Sequence, residues 1–227
     1  MNRSDLFTAI RPFAPDGRFT ADMVVQIDAL ADAFGLARID AVAGKAMPLT
    51  LRGALELAHV EAIVTEWYTD SAGVGTWSVG ITKAAGIDVI KYKDNPASIS
   101  ECLSAFVDRL ASVYIPDVLK AFGSRTLTEA QFAAALSFHY NTGAIKKADW
   151  VKEWLAGDAG KAKLSIMNWR TPASIIGRRT KERDLFFDGV WSGDGTALVY
   201  SVAKPSYKPI KPVRVDIRAD MAKAMGL

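Results

Sequence analysis

The sequence is poor in the residues that tie small proteins together by covalent or metal chemistry. A single cysteine, Cys102, stands among 227 residues, so no intramolecular disulfide can form and a packed thiol within a helix is its expected role. The lack of paired cysteines suits a reducing compartment or indifference to redox state. The two histidines, His59 and His139, lie far apart in the chain and make a poor start on a zinc site, which needs several His, Cys or Asp ligands. A zinc amidase is therefore disfavoured, and no metal or cofactor is expected. A Cys–His peptidase would have to use Cys102, which sits in a helical pattern without a nucleophile motif.

Long apolar runs are absent as well. No stretch approaches the roughly 20 apolar residues that span a bilayer, so stable membrane insertion is not expected. Nor does an apolar run follow Met1-Asn2-Arg3-Ser4-Asp5, so no secretory signal is visible. Charge is nearly balanced: 28 Lys and Arg against 25 Asp and Glu leave a net +3 and a pI near 8.9. That mild basicity suits an acidic polymer such as a cell wall or a nucleic acid. The chain has no arginine-rich arm and no aromatic-studded basic strand, which argues against nucleic acid. What it does have is ample apolar material. Half the residues are hydrophobic, enough to bury a core in one good-sized domain with small additions.

The pattern along the chain is mostly helical. Ser4 can cap a first short helix that Pro12 and Pro15-Asp16-Gly17 end, and Thr20 can cap a second that Gly35 stops. This pair is too small to be stable alone. A looser stretch from Ala41 to Thr50 marks a candidate boundary. A helix from Arg52 to Val60 then gives way to an aromatic and β-branched segment, Trp67 to Gly80, which predicts a hairpin around a glycine-bearing turn. Ser98 with Glu101 and Thr128 with Gln131 make two capping boxes ahead of helices. Further helices are predicted near Trp150 to Leu155 and from Gly177 to Phe187. In the tail, Thr196 to Tyr200 reads as a strand, and Pro205, Pro209 and Pro212 read as an extended, lysine-dotted connector before a short terminal helix.

One segment carries candidate chemistry. Glu61 closes a helix, Asp70 follows nine residues later beside the hairpin turn, and Thr76 six beyond that. Such a helix end and small sheet can face each other across a cleft with a carboxyl group on each side. Glycoside hydrolysis needs that pairing, one carboxyl protonating the leaving oxygen while the other aids attack at the anomeric carbon.

The residues around the pair make it more specific than its spacing. Glu61-x8-Asp70-x5-Thr76, with Trp67-Tyr68 before the aspartate and Gly73 and Gly80 after it, resembles the phage-type lysozymes of glycoside hydrolase family 24. Two later segments resemble the same family in order: Leu127-Thr128 through Asn141-Thr142-Gly143, and the helix Gly177-Arg178-Arg179 to Glu182. The resemblance covers about residues 52 to 189. It implies an α+β, mainly helical, two-lobed lysozyme-like domain with a small β-hairpin sheet, an N-terminal helical pair and a C-terminal extension. It also implies an endolysin that hydrolyses the β-1,4 bond between N-acetylmuramic acid and N-acetylglucosamine in peptidoglycan, with Glu61 the general acid, Asp70 the second carboxylate and Thr76 a positioner of substrate or water. Ile63, Val64, Trp67 and Val79 are candidates for an apolar wall that keeps the acid protonated. Ser78 and Ile81 depart from the family, standing where a glycine and a histidine are common.

The expected organisation is a two-helix module over 1–47, for docking or wall binding, a catalytic domain over 48–189 and a strand and extended tail over 190–227. The expected partner is the glycan strand, met by a monomer made in the host cytoplasm and reaching the wall after membrane permeabilisation. Two rivals stay open. A lytic transglycosylase cuts the same bond but needs only the acid, and a non-catalytic wall-binding protein on a decayed scaffold would have no need of Glu61. The remaining candidates have simpler readings. His59, His139 and Asn141 suit packing or helix ends, the Arg178, Arg179 and Glu182 set suits a helix-borne salt bridge, and Trp150, Trp154 and Trp169 suit a core.

Overall fold

The computed structural model describes residues 6, 9–15, 19–33, 48–70 and 72–227. The Ser4 cap, the Gly35 stop and most of the 41–50 boundary lie outside the described residues. The described chain forms α1 (Ala21–Ala33), α2 (Leu51–Glu61), β1 (Ile63–Thr69), β2 (Gly75–Ser78), β3 (Ile81–Thr82), α3 (Ile99–Arg109), α4 (Ile115–Phe122), α5 (Glu129–Thr142), α6 (Asp149–Leu155), α7 (Ala159–Ser165), α8 (Ile176–Asp188), β4 (Thr196–Ala203), β5 (Lys208–Asp216) and α9 (Arg218–Ala224). It divides into two compact units, one of Met1–Gly53 with Val113–Ser192, the other of Ala54–Ser112 with Gly193–Leu227. Gly193–Leu227 thus belongs to the same compact unit as Ala54–Ser112, across the expected break at 189/190.

The first unit is helical and built round α5. From Phe132 to His139 every residue of that helix is buried, which is what a helix without an amphipathic stripe requires. The expected capping box starts it: Gln131 N–H donates to Thr128 Oγ1 at 3.2 Å and Thr128 N–H to Gln131 Oε1 at 3.0 Å. Gly143, at φ 64°, ends it in the left-handed conformation that suits glycine. Trp150 is fully buried and packs edge-on against Phe138 and Phe186, with Trp154 on Phe122 and Phe186. Trp150 is core, and Trp154 is half-buried. Thr20 caps α1 as expected, accepting Met23 N–H at 3.2 Å.

His139 lies in this core, its Nε2 at 3.3 Å from Asp117 Oδ2, while Lys146 Nζ holds the other Asp117 oxygen at 2.8 Å. Burial outweighs the carboxylate and lowers the imidazole below its usual 6.5. The unfolded chain therefore takes up a proton at higher pH than the folded one, so stability is full above about 6.5 and falls as pH drops through it. Lys146, ahead of His139, holds the Asp117 carboxyl below its usual range, and that contribution is lost only in stronger acid. The melting temperature should decline between pH 7.5 and 5, and His139→Gln should flatten that decline. An equal slope in both proteins would refute the assignment.

The second unit is organised by a mixed sheet in the order β3-β2-β1-β4-β5. β1 pairs antiparallel with β2 and parallel with β4, and β4 pairs antiparallel with β5 along nearly its whole length. The hairpin expected from Trp67 to Gly80 is present, but β1 begins earlier, at Ile63. The sheet is also larger than the small hairpin expected. The segment read as an extended connector is strand β5. Proline removes a ladder N–H, yet Pro209 and Pro212 sit on the edge strand, where an outward-facing N–H is dispensable and proline with lysine discourages further pairing. α9 packs on α3, with Met221 fully buried.

The α3 cap is half of the expected box. Glu101 N–H donates to Ser98 Oγ at 3.1 Å, but the Glu101 carboxylate accepts from Tyr92 Oη at 2.7 Å. Tyr92 in turn stacks on Trp77 with ring centroids 3.6 Å apart. Behind the cap, Leu103, Phe106, Val107 and Leu110 form a buried stripe. Cys102 is buried as a packed thiol, its carbonyl accepting from Ser78 Oγ at 2.8 Å. Burial pushes the thiol up to about 12, so it is inert as a nucleophile.

Candidate functional site

Glu61, Asp70 and Thr76 all fall in the second unit. Ala54, Leu57 and Ala58 are fully buried along one side of α2, and Glu61 continues that stripe at the next helical repeat. The carboxylate thus leaves the helix on its buried side, half-buried itself, with Oε1 shielded from solvent. Ala62 ends the helix at φ 64°, a left-handed conformation that costs a non-glycine residue about 1–2 kcal/mol. That turn sends the chain directly into β1, so one strand joins Glu61 to Asp70.

Asp70 closes the hairpin. Its Oδ1 accepts Ala72 N–H at 2.9 Å and Val74 N–H at 2.8 Å, and its own N–H donates to Val74 O at 3.0 Å. Aspartate is suited to this turn because its short side chain mimics a backbone acceptor. Gly73 supplies the turn with φ 81°. Gly75 is required for a different reason, since a Cβ there would lie 2.6 Å from Trp67 Nε1.

Thr76 faces Tyr68 across the β1–β2 ladder and is 2% exposed. Its hydroxyl donates to Val74 O at 3.0 Å, so its proton is committed to the turn and only its oxygen lone pairs can meet a ligand. Ile63, Val64 and Val79 are buried, while Trp67 is half-buried.

Tyr68 links the two carboxylates. Burial, then the negative charges of Asp70 and Glu61, raise its phenol to about 12. A group that responds to both acids lies within electrostatic reach of both. Tyr68 was visible in the sequence only as part of the Trp67-Tyr68 pair, without a role of its own. A helix-end carboxyl, a turn carboxyl, a buried hydroxyl and a phenol are therefore gathered on one strand pair. Among the described residues no group of His, Cys, Asp and Glu is arranged to hold a metal.

The first unit carries a concavity of about 370 Å³, lined by polar residues including Asn141, Thr142 and Asn168 and by Trp169, Pro172 and Ile175. Two of its lining residues, Asn141 and Trp169, are held by a buried network. Arg179, fully buried, pairs with Glu182 and donates to Asn141 Oδ1 at 2.7 Å and to Trp169 O at 2.9 Å. Arg178 and Ser137 complete the Glu182 carboxylate at 2.9 and 2.7 Å. The salt bridge expected on this helix is present, and it also orients Asn141. Amides and hydroxyls beside an aromatic face are the groups that bind a sugar ring.

A family model described as phage lysozyme matches residues 58–182. The chain belongs to the phage lysozyme family. This is glycoside hydrolase family 24, and the match takes in Glu61, Asp70, Thr76 and the Arg179 network. No curated protein sequence matches the chain. Among solved structures, an endolysin from Escherichia coli O157:H7 phage FAHEc1 superposes with a TM-score of 0.51 at 21% identity, over 63% of this chain and 96% of that one. A mutant of P22 lysozyme gives 0.52 at 20% identity, over 62% and 99%. The muramidase domain of SpmX from Asticaccaulis excentricus gives 0.51 at 19%, over 61% and 96%. The fold is lysozyme-like. The lysozyme-family match ends before β4, so the β4–β5 hairpin and α9 lie beyond it.

Proposed function

We propose that this lysozyme-family chain is an endolysin that hydrolyses the β-1,4 bond between N-acetylmuramic acid and N-acetylglucosamine in peptidoglycan. The observation that carries the reading is the placement of Glu61 and Asp70 at the two ends of β1, with Thr76 across the β1–β2 ladder from Tyr68. Glu61 protonates the leaving glycosidic oxygen. Asp70 is the second carboxylate, assisting a water and balancing the positive charge that develops on the sugar. Its Oδ1 is held by the turn, so Oδ2 is the oxygen available for that work. Thr76, whose proton is held by Val74, offers a lone pair to orient the water. An inverting reaction requires roughly 6.5–9.5 Å between the carboxyl groups, to leave room for that water.

The substrate is the glycan strand. Residues 48–189 carry the catalytic domain of this reading, and residues 1–47 dock on it or bind wall. Among the described residues no helix is long and apolar enough to cross a membrane. The enzyme acts as a monomer, made in the host cytoplasm and admitted to the wall once the membrane is permeabilised. Incubated with purified peptidoglycan sacculi, the protein should clear the suspension and create new reducing ends on N-acetylmuramic acid. Intact glycan with newly freed peptide amines would sink the reading.

A further inference from the structure

The strand that joins the two carboxylates is gripped at both ends by the C-terminal segment. At the Glu61 end, Ile63 and Val64 pair with Val199 and Tyr200 of β4. Beside them Gly193 N–H donates to Glu56 Oε2 at 2.6 Å, and Thr196 O lies 3.0 Å from His59 Nδ1, both partners being on α2. At the Asp70 end, Thr69 N–H donates to Tyr207 O at 2.8 Å. Tyr207 lies between β4 and β5 at φ 51°, a left-handed conformation in which a Cβ is penalised.

Its side chain holds that conformation. The ring meets Trp67 of β1 edge-on at 5.2 Å, and Lys93 and Lys204 lie over it at 4.5 and 4.2 Å. The hydroxyl donates to Asp94 Oδ2 at 2.8 Å. Lys204 binds both Glu66 of β1 and Asp94, and Asp94 N–H closes the ring of contacts by donating to Glu66 Oε1 at 2.9 Å. Lys204 and then Tyr207 hold the Asp94 carboxyl below its usual range. The same cluster therefore touches β1 at Glu66, Trp67 and Thr69, the residues leading into Asp70.

We infer that the β4–β5 hairpin is a clamp on the catalytic strand, with Tyr207 the positioning residue that sets Asp70 relative to Glu61. The inference rests on the lysozyme reading above and places a requirement outside the segment matched by the family. Tyr207 touches no reacting atom and acts through Thr69 and Trp67. Losing its side chain leaves a strained backbone without anchors, so its carbonyl releases Thr69 and the turn at Asp70 loosens. Small displacements of catalytic groups cost disproportionately, on the order of 10²-fold per ångström.

The test uses the full chain with two readouts. In Tyr207→Ala, kcat on soluble glycan fragments should fall at least about tenfold with KM within about twofold, because substrate contacts are untouched. Amide hydrogen exchange at Thr69 should accelerate while Ile63 and Val64 stay protected. Tyr207→Phe, which keeps the ring on Trp67, should restore most of kcat. Asp94→Asn tolerates the left-handed backbone and lies on the surface. It should give the same pattern more weakly, and it keeps the test decisive if Tyr207→Ala does not fold. Unchanged Thr69 exchange, or kcat within about twofold in Tyr207→Ala and Asp94→Asn alike, would overturn the clamp. Exchange does not depend on turnover. A wild-type protein with no glycosidase activity would refute the lysozyme reading, while Thr69 exchange would still report on the hairpin's grip.

Discussion

Glu61→Gln should leave the fold intact and abolish wall hydrolysis. Glutamine keeps the shape of the side chain that α2 delivers from its buried stripe, but it cannot donate a proton to a leaving oxygen. Loss of a general acid typically costs about 10² to 10⁴ in rate, and more where departure of the leaving group depends on protonation. The structure narrows the ways this expectation could fail. Glu66, five residues further along the chain, has Oε1 already engaged by Lys204 and by Asp94 N–H. Turnover by the glutamine variant on purified sacculi, with its melting temperature measured alongside, checks the point. Retention of more than about a tenth of the activity would place the acid elsewhere.

Asp70 should be nearly as sensitive, and its two oxygens allow its two duties to be separated. Oδ1 serves the turn through Ala72 and Val74. Asp70→Asn keeps an acceptor there and removes the charge, whereas Asp70→Ala removes both. A second carboxylate that assists water and stabilises the charged sugar should cost about 10²-fold or more when neutralised. Both variants should therefore fail in catalysis, and the alanine variant should also be less stable. If Asp70→Asn lysed walls at near the wild-type rate, aspartate would be a turn residue only. The transglycosylase chemistry, which needs the acid alone, would then be favoured.

Much of this arrangement was legible in the sequence because it depends on local rules. The Thr128–Gln131 box and the helix closed by Glu61 are short-range signals, and both are present in the structure. The hairpin was legible from its β-branched and aromatic residues, although β1 starts before Trp67. Ile63 and Val64 make a buried apolar pair too short to tell strand from helix by periodicity. Glu101 shows where local reading stops. Its spacing from Ser98 fits a capping box, but Tyr92, nine residues away, takes the carboxylate instead.

The C-terminal hairpin was the least legible part. Three prolines in eight residues read as a connector because proline cannot donate to a ladder. Only the strand order reveals that β5 is an edge, the place in a sheet where proline is tolerated. Thr196 to Tyr200 reads as a strand, but nothing local says that this strand pairs in parallel with β1. The Tyr207, Lys93, Lys204, Asp94 and Glu66 cluster draws on three separated segments and leaves no spacing signature. Likewise Arg179 was legible as a salt-bridge partner of Glu182 from helical spacing. Its contact with Asn141, 38 residues away, was not.

The central claim is hydrolysis by an acid and a second carboxylate that directs water. It is tested most directly by digesting sacculi in H₂¹⁸O and identifying the new sugar ends by mass spectrometry. The account predicts reducing N-acetylmuramic acid ends carrying one ¹⁸O for every bond cut. It would be contradicted by 1,6-anhydromuramoyl ends without label, which would mean that the sugar's own hydroxyl, and no water placed by Asp70, had closed the reaction.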